Sequence, residues 1–185
     1  MSSSLPIPRP VRLQPASLSL VASPVGKLLV AATEDGLALL NFADDRSRDV
    51  LMQDAGYTPS AQTGRHHLGL AVDQLAAYFD RRRDAFDLAL DLAAGTSFEQ
   101  KVWRETCCIP YGRVASYGEV AERIGSPLAF RAVGGALGRN PVAIVVPCHR
   151  VLAKGGRIGG FSGGLAAKRT LLAHEGFLLR ELTTA

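Results

Sequence analysis

The sequence N-P-V-A-I-V-V-P-C-H-R-V runs from Asn140 to Val151, and the rest of the chain is organised around it. Val142 to Val146 is apolar and mostly β-branched, which predicts a buried strand. Pro147 has no N–H to give a ladder, so that strand is expected to stop there. Cys148, His149 and Arg150 follow at once. A thiol, an imidazole and a guanidinium are thus delivered together at the edge of a core, where a rigid scaffold positions reactive groups. A free cysteine is also commonly a buried packing residue. From these residues alone both readings of Cys148 stand, with the polar neighbours slightly favouring a reactive thiol.

Upstream, Ser97 with Gln100 reads as a capping box for a helix that carries Phe98, Val102 and Trp103 and ends before Pro110. Cys107 and Cys108 fall in its last turn, as small packing residues. Ser116 with Glu119 makes a second capping box, for a helix from Tyr117 to Ile124 that stops at Gly125. Ser126-Pro127 then begins another helix, Leu128 to Gly138, with Pro at its first position. Two helices joined by a turn of about two residues have helix-turn-helix spacing. The second is rich in Ala and Gly, so it can approach another surface closely. That surface is either a neighbouring helix or a DNA groove, with Arg131 as its one long cation. Downstream, Lys154 to Arg157 is a turn, and G-G-F-S-G-G from Gly159 to Gly164 is a loop whose backbone can line a pocket. Leu165 to Glu175 is a helix with Leu171 and Leu172 inward and Gly176 as its stop.

The first half reads differently. Leu18 to Val21 is a short strand. Lys27 to Thr33 and Leu37 to Phe42 form a hairpin around Glu34-Asp35-Gly36. Asp45 caps a short helix through Met52, and Tyr57 to Gly64 is a loop. Leu68, Val72, Leu75 and Phe79 recur at helical spacing, and Arg81-Arg82-Arg83 closes that helix with charges suited to its C-terminus. Phe86 to Leu92 alternates apolar and polar, as a strand with one wet face. Gly95 marks a boundary. The expected organisation is α/β (α+β): a Pro-rich disordered tail over residues 1–16, a sheet-and-helix domain over 17–95 and a mostly helical domain over 96–185.

Composition bounds the possibilities. The chain has 185 residues, 47% of them hydrophobic, and no apolar run long enough to span a membrane. Pro6, Pro8, Pro10 and Pro15 interrupt the start, so no signal peptide is expected there. An odd count of three cysteines, two of them adjacent, fits a reducing compartment without a disulfide framework. A cytosolic protein is expected, or a nuclear one if the source has a nucleus. No Cys/His spacing resembles a zinc site, and His66-His67 reads as a solvated pair. The formal charge of +4 is unevenly spread. Residues 1–95 carry nine Lys/Arg against eleven Asp/Glu, and residues 96–185 carry twelve against six. A basic second half suits a polyanionic partner, although a basic surface without one has the same composition.

A cysteine attacks as the thiolate and needs a base or a lowered pKa. Adjacent side chains rarely face each other, so His149 is expected to reach Cys148 through a turn or an intervening water. Glu175 is a candidate to orient the imidazole, in an acid–base–nucleophile relay. A plain salt bridge from Glu175 to Lys168 or Arg169 is the alternative.

V-P-C-H-R-V around Cys148, R-A-V-G-G-A-L followed by N-P, S-Y-G-E-V-A from Ser116, F-S-G-G-L and L-L-A-H-E-G occur in one order and spacing across residues 97–177. In these motifs the chain resembles the O6-alkylguanine-DNA alkyltransferases. Residues 1–95 resemble that family's ribonuclease-H-like N-terminal domain in topology only. The resemblance implies stoichiometric, irreversible transfer of an alkyl group from O6-alkylguanine in double-stranded DNA to Cys148, with O4-alkylthymine as a candidate second lesion. It implies His149 as the base acting through a water, Glu175 as its orienter, and Tyr117 as the group that helps extrude the nucleotide and protonates the leaving guanine. Asn140 would tie the turn after the recognition helix to the nucleophile's strand. Arg131 would enter the minor groove and fill the gap left by the flipped base, with Ala129, Phe130, Ala132, Ser116 and Tyr117 also meeting DNA. The carbonyls of Cys148 and Val151 would accept the guanine amino group. Phe161, Ser162 and Gly163 would complete the pocket, the Ser162 backbone contacting O6.

No metal or cofactor is implied, and the family's zinc-binding members differ in having cysteines early in the chain. A monomer is expected, with cooperativity on DNA left open. Two residues depart from the family pattern: Phe161 stands where many members have Tyr, and Phe130 where a small residue is usual. A lesion sensor that no longer transfers, or a cysteine hydrolase using Cys148, His149 and Glu175, are the competing functions.

Overall fold

The computed structural model describes residues 14–43 and 56–177. The helix expected from Asp45 and the tail before Gln14 lie outside the described residues. Four strands form one sheet in the order β3-β2-β1-β4. They are β1 (Gln14–Ser23), β2 (Gly26–Ala32), β3 (Leu37–Phe42) and β4 (Tyr57–Pro59). The expected hairpin is present, β2 and β3 pairing antiparallel with Val30 opposite Leu40. β1 is longer than the strand expected at Leu18: Gln14, Pro15 and Ala16 pair in parallel with β4. The tail boundary at residue 16 and the wholly looped reading of Tyr57 to Gly64 are corrected accordingly.

Alternation along β2 decides its two faces. Leu28 and Val30 enter the main core, while Leu29 and Ala31 join a smaller cluster with Ala16, Leu18 and Leu39. Helix α1 (Arg65–Phe79) lies against β1, β2 and β3 and buries Ala71, Leu75 and Tyr78. Its end is set by backbone hydrogen bonds more than by charge. Arg81 adopts φ 58°, its N–H reaches the Tyr78 carbonyl, and the Arg82 N–H reaches that of Ala77. That is a Schellman cap with arginine where glycine is favoured. A left-handed conformation costs a non-glycine residue roughly 1–2 kcal/mol. Arg81→Gly is therefore expected to stabilise the fold by about 0.5–1 kcal/mol, part of the relief being lost to glycine's unfolded-state entropy. Urea unfolding of the two proteins tests this, and a lower midpoint in the variant would contradict it.

The edge of β3 is shared by two later segments. Leu37 exchanges hydrogen bonds with Ala89 and Asp91, and Leu40 does so with Pro141 and Ala143. Phe86 to Leu92 is thus extended, as its alternation suggests, but makes only the single bridge of Leu37 to Leu90. It is not the expected strand, because the rest of that edge is occupied. At Gly36 the approach leaves no room for a side chain: a Cβ would lie 2.4 Å from the Ala89 carbonyl oxygen.

Val142 to Val146 also departs from expectation. The run is buried but forms a tight turn, with the Val146 N–H on the Val142 carbonyl at 2.9 Å. Ile144 sits at φ 72°, which reverses the chain. For a β-branched residue this is a strained position, costing of order 1–3 kcal/mol. Burial of the run was legible from its composition; the reversal opposes its local propensity.

The second half is helical: α2 (Ser97–Cys107), α3 (Tyr117–Arg123), α4 (Phe130–Gly138) and α5 (Gly164–His174). A two-residue strand pair, β5 (Ala115–Ser116) with β6 (Val151–Leu152), ties α3 to the Cys148 stretch. The Ser116–Glu119 capping box is present as expected. The first box is formed one residue earlier than expected, by Thr96 and Glu99. Both registers match the sequence rule, but Glu99 also pairs with Arg139 at the end of α4. Cys107 and Cys108 are exposed rather than packed.

Helix α3 closes at Gly125 with a second Schellman cap, the Ser126 N–H reaching the Ala121 carbonyl at 2.8 Å. Ser126 to Ala129 then makes a separate turn, so α4 starts at Phe130 and Pro127 is not its first residue. The connection therefore has six residues instead of two. Trp103 on α2 fixes α4 by donating its indole N–H to the Ala136 carbonyl at 2.9 Å. One main core runs without a break from the sheet face through α1 into the helices. Among the described residues, no helix is long and apolar enough to cross a membrane.

Candidate active site

Cys148, His149 and Arg150 form one turn of 3-10 helix directly after the buried turn at Ile144. Asn140, just past α4, fixes that turn. Its amide Nδ2 donates to the Val146 carbonyl at 2.8 Å and lies 3.2 Å from Cys148 Sγ, while its Oδ1 accepts from the Val142 N–H. Asn140 thus couples the end of α4 to the thiol, through a turn where a strand was expected. Cys148 is 6% exposed and that face lines a cavity of about 280 Å³. Tyr117, Leu137, Phe161 and Ser162 share the lining with glycines of α4 and of the loop before α5. Burial raises the Cys148 pKa, opposed by the Asn140 hydrogen bond and the Lys168 charge. The resting group is a thiol.

His149 is fully buried, and its Nε2 lies 2.8 Å from Glu175 Oε1. Glu175 caps α5, held there by a Schellman turn at Gly176 in which the Phe177 N–H reaches the Leu172 carbonyl. The carboxylate meets a full set of donors. Oε1 accepts from Tyr78 Oη at 2.8 Å and Arg150 Nη2 at 2.9 Å as well as facing His149. Oε2 accepts from Arg150 Nε at 2.9 Å and the Gly112 N–H at 3.3 Å. Burial pushes the Glu175 pKa up, but the hydrogen bonds and charges of His149 and Arg150 outweigh it and hold it down at about 2. A carboxylate can only accept, so His149 carries its proton on Nε2 and Nδ1 is the free acceptor. Nδ1 is buried without a hydrogen-bond partner in the protein. Burial lowers the His149 pKa despite Glu175, so the imidazole rests neutral. The alternative of a Glu175 salt bridge to Lys168 or Arg169 is excluded for Lys168, whose Nζ donates instead to the carbonyls of Val151 at 2.7 Å and Gly160 at 3.2 Å. Burial lowers the Lys168 pKa to about 8, opposed by Cys148.

The other expected pocket residues divide. Tyr117, Phe161 and Ser162 line the cavity; Val151 and Gly163 do not. Val151 is fully buried with its carbonyl on Lys168. Gly163 lies against Phe42 of β3, where a Cβ would come within 2.3 Å of the ring. Phe42 in turn meets Phe161 edge-on at 5.5 Å. At the start of α4, Phe130, Arg131 and Ala132 are exposed and Ala129 is half-buried, while the cavity is lined from the same helix by Gly134, Leu137 and Gly138. The Arg131 guanidinium lies 5.5 Å from the Phe130 ring centroid, a cation–π contact. Ser116 is occupied as the cap of α3.

Sequence reading missed the roles of Tyr78, Arg150 and Lys168. Lys168 had a signal: with Leu171, Leu172 and Glu175 it recurs at helical spacing on the buried face of α5. Tyr78 had none, since it is 97 residues from Glu175. Among the described residues, no group of three or more His, Cys, Asp or Glu is placed to hold a metal ion.

Two family models cover most of the chain. Residues 18–92 match the ribonuclease-like domain of 6-O-methylguanine DNA methyltransferase, and residues 97–177 match its DNA-binding domain. The chain belongs to the 6-O-methylguanine DNA methyltransferase family. A methylated-DNA–protein-cysteine methyltransferase of Mycolicibacterium paratuberculosis is 46% identical over 159 residues, covering 84% of this chain and 89% of the relative. One of the same name from Methanosarcina barkeri is 40% identical over 156 residues, covering 84% and 94%. The O6-methylguanine methyltransferase of Mycobacterium tuberculosis superposes with a TM-score of 0.74 at 41% identity, covering 86% of this chain and 92% of that one. Mycobacterium tuberculosis OGT in complex with DNA superposes with a TM-score of 0.73 at 43% identity and the same coverage. This methyltransferase therefore repairs DNA by moving an alkyl group onto one of its own cysteines.

Proposed function

We propose that Cys148 is the acceptor, that O6-alkylguanine in duplex DNA is the substrate, and that the lesion reaches the thiol by rotation out of the helix. One observation carries this reading. The single thiol on the cavity floor sits one residue from a buried imidazole whose proton is fixed on Nε2 by Glu175, leaving Nδ1 as a base.

The steps follow from the groups present. Nδ1 of His149 takes the thiol proton, through a bridging water as adjacent side chains require. Asn140 Nδ2 and the Lys168 charge favour the thiolate as it forms. Sγ attacks the alkyl carbon, the carbon–O6 bond breaks, and its electron pair stays with the guanine. Tyr117 lines the cavity and supplies a proton to the departing base. Burial and the Cys148 sulfur raise its phenol pKa, so it is protonated and able to donate. The product is a thioether, which neither water nor His149 can cleave as they would an acyl-thioester. Each protein molecule therefore acts once.

A cavity of this size admits one base and excludes a duplex, which is the reason extrusion is required. The exposed start of α4, where Phe130 and Ala132 flank Arg131, would enter the minor groove, with Arg131 filling the vacated stack. Arg131→Ala is expected to slow repair of duplex DNA by about a hundredfold and reaction with free O6-benzylguanine by less than about twofold, since only the duplex requires base extrusion. Single-turnover rates on both substrates test it, and equal losses would remove Arg131 from that role. Division at Gly95 into a supporting and a DNA-binding part, action as a monomer, and residence in the cytosol (the nucleus of a nucleated source) belong to the same proposal.

The deciding experiment is an intact-protein mass spectrum after incubation with duplex DNA containing O6-methylguanine, followed by peptide mapping. One methyl increment on Cys148, saturating at one per protein, is expected. Tight binding without any increment would replace the acceptor reading with lesion sensing.

A further inference from the structure

We propose that Tyr78, on a helix of the first half of the chain, is a positioning residue of the proton relay: its hydroxyl engages the Glu175 oxygen that faces His149 and so keeps the resting imidazole neutral and available as a base. The proposal rests on His149 being the base. Tyr78 is fully buried and donates to Glu175 Oε1 at 2.8 Å, the same oxygen that faces His149 Nε2.

That oxygen serves three groups at once. Each donor withdraws electron density from it and lowers its affinity for the Nε2 proton. Arg150 alone would anchor the carboxylate through its fork. Tyr78 therefore adds little anchoring that Arg150 lacks; what it adds is a third claim on the His149-facing oxygen. The hydroxyl is itself pinned. The Tyr78 carbonyl receives His174 Nε2 at 2.8 Å, and the ring packs against Phe86, Tyr111 and His174. Burial and the neighbouring Glu175 raise the Tyr78 pKa far above the ordinary phenol value, so it remains a donor throughout the working range. The other titratable groups around the pair are Arg150 and Cys148 beside His149, Lys168 and His174 on α5, and Tyr111, whose hydroxyl donates to the His174 carbonyl.

The consequence is directional. Without the Tyr78 donor, Oε1 draws the Nε2 proton more strongly and stabilises the His149 imidazolium. His149 then stays protonated to a higher pH and is unavailable as a base. With a more acidic phenol at position 78, the opposite follows.

The experiment is the pH dependence of single-turnover alkylation by free O6-benzylguanine, which needs no base extrusion. In Tyr78→Phe the acid limb is expected to move to higher pH by about half a unit. A 3-fluorotyrosine installed at position 78 alone is expected to move the limb to lower pH while keeping the ring and hydroxyl. NMR titration of the His149 imidazole supplies the same midpoint without turnover. A limb that stays in place in both proteins overturns the proposal, because lost packing alone would change the rate or the stability and leave the midpoint. A wild-type profile lacking the limb, together with full activity in His149→Gln, would instead overturn the relay itself.

Discussion

Cys148→Ala is expected to abolish alkyl transfer while leaving binding to O6-methylguanine DNA within about threefold of wild type, because the change removes the nucleophile and little of the contact surface. Only 6% of the residue is exposed, so the base would meet Tyr117, Phe161 and Gly160 far more than the sulfur. Asn140 retains its bonds to Val146 and Val142, and the turn keeps its shape. The fold should lose no more than about 1 kcal/mol, for one small buried group. Cys107 and Cys108 offer exposed thiols as alternative acceptors. Neither borders the cavity beside Tyr117 and Phe161, and neither has an imidazole within hydrogen-bond reach among the described residues. The protein mass after incubation decides between them. A methyl increment that survives in Cys148→Ala would end the assignment, and peptide mapping would show which thiol had taken it.

The second large effect is on stability. Glu175→Gln is expected to destabilise the fold by about 3–5 kcal/mol, the cost of stranding one partner of a buried ion pair. Arg150 is 6% exposed and sends two donors to Glu175. Its remaining bond, to the Ile109 carbonyl, is neutral and cannot balance a buried cation. The variant should also be slow in alkylation, since the His149 imidazolium loses its counterion. The pH dependence carries the same signature. The Glu175 pKa falls from an ordinary 4.5 to about 2 on folding, so its contribution is complete above about pH 4.5 and is lost as pH drops towards 2. Urea midpoints across that window should fall steeply for the wild type and less steeply for Glu175→Gln. Parallel slopes would show that the acid sensitivity has another source.

Much of the site was legible because it is local. Cys148, His149 and Arg150 are consecutive, Asn140 lies eight residues from the sulfur it touches, and the Ser116 capping box fixes Tyr117 at the start of α3. Glu175 was legible as the end of the helix stopped by Gly176, a candidate to orient His149, and through the family resemblance. Where periodicity and backbone conformation disagree, the reading failed. Val142 to Val146 looked like a strand because β-branched residues favour one, yet Ile144 turns the chain against its own preference. Phe86 to Leu92 has the alternation of a strand but found only part of an edge to pair with. The first capping box slipped by one residue because Thr96-x-x-Glu99 and Ser97-x-x-Gln100 satisfy the same rule, and a distant group, Arg139, chose between them. Tyr78 and Phe42 were invisible for a different reason. Their contacts with the site are made by tertiary packing between halves of the chain that no short-range pattern connects.

The edge of β3 joins two matters that are usually considered apart. An open strand edge is a template on which another chain can add. Here Leu90 and Val142 cover it, and the second of those covers is the segment that carries the nucleophile. Its hydrogen bonds to Leu40 place the thiol and, in the same act, close the sheet to strangers. Any damage that frees the turn at Ile144 then does two things together: it silences the protein and makes it adhesive. Loss of repair and self-association would be one event, recorded by light scattering and by titration of active sites on the same time course.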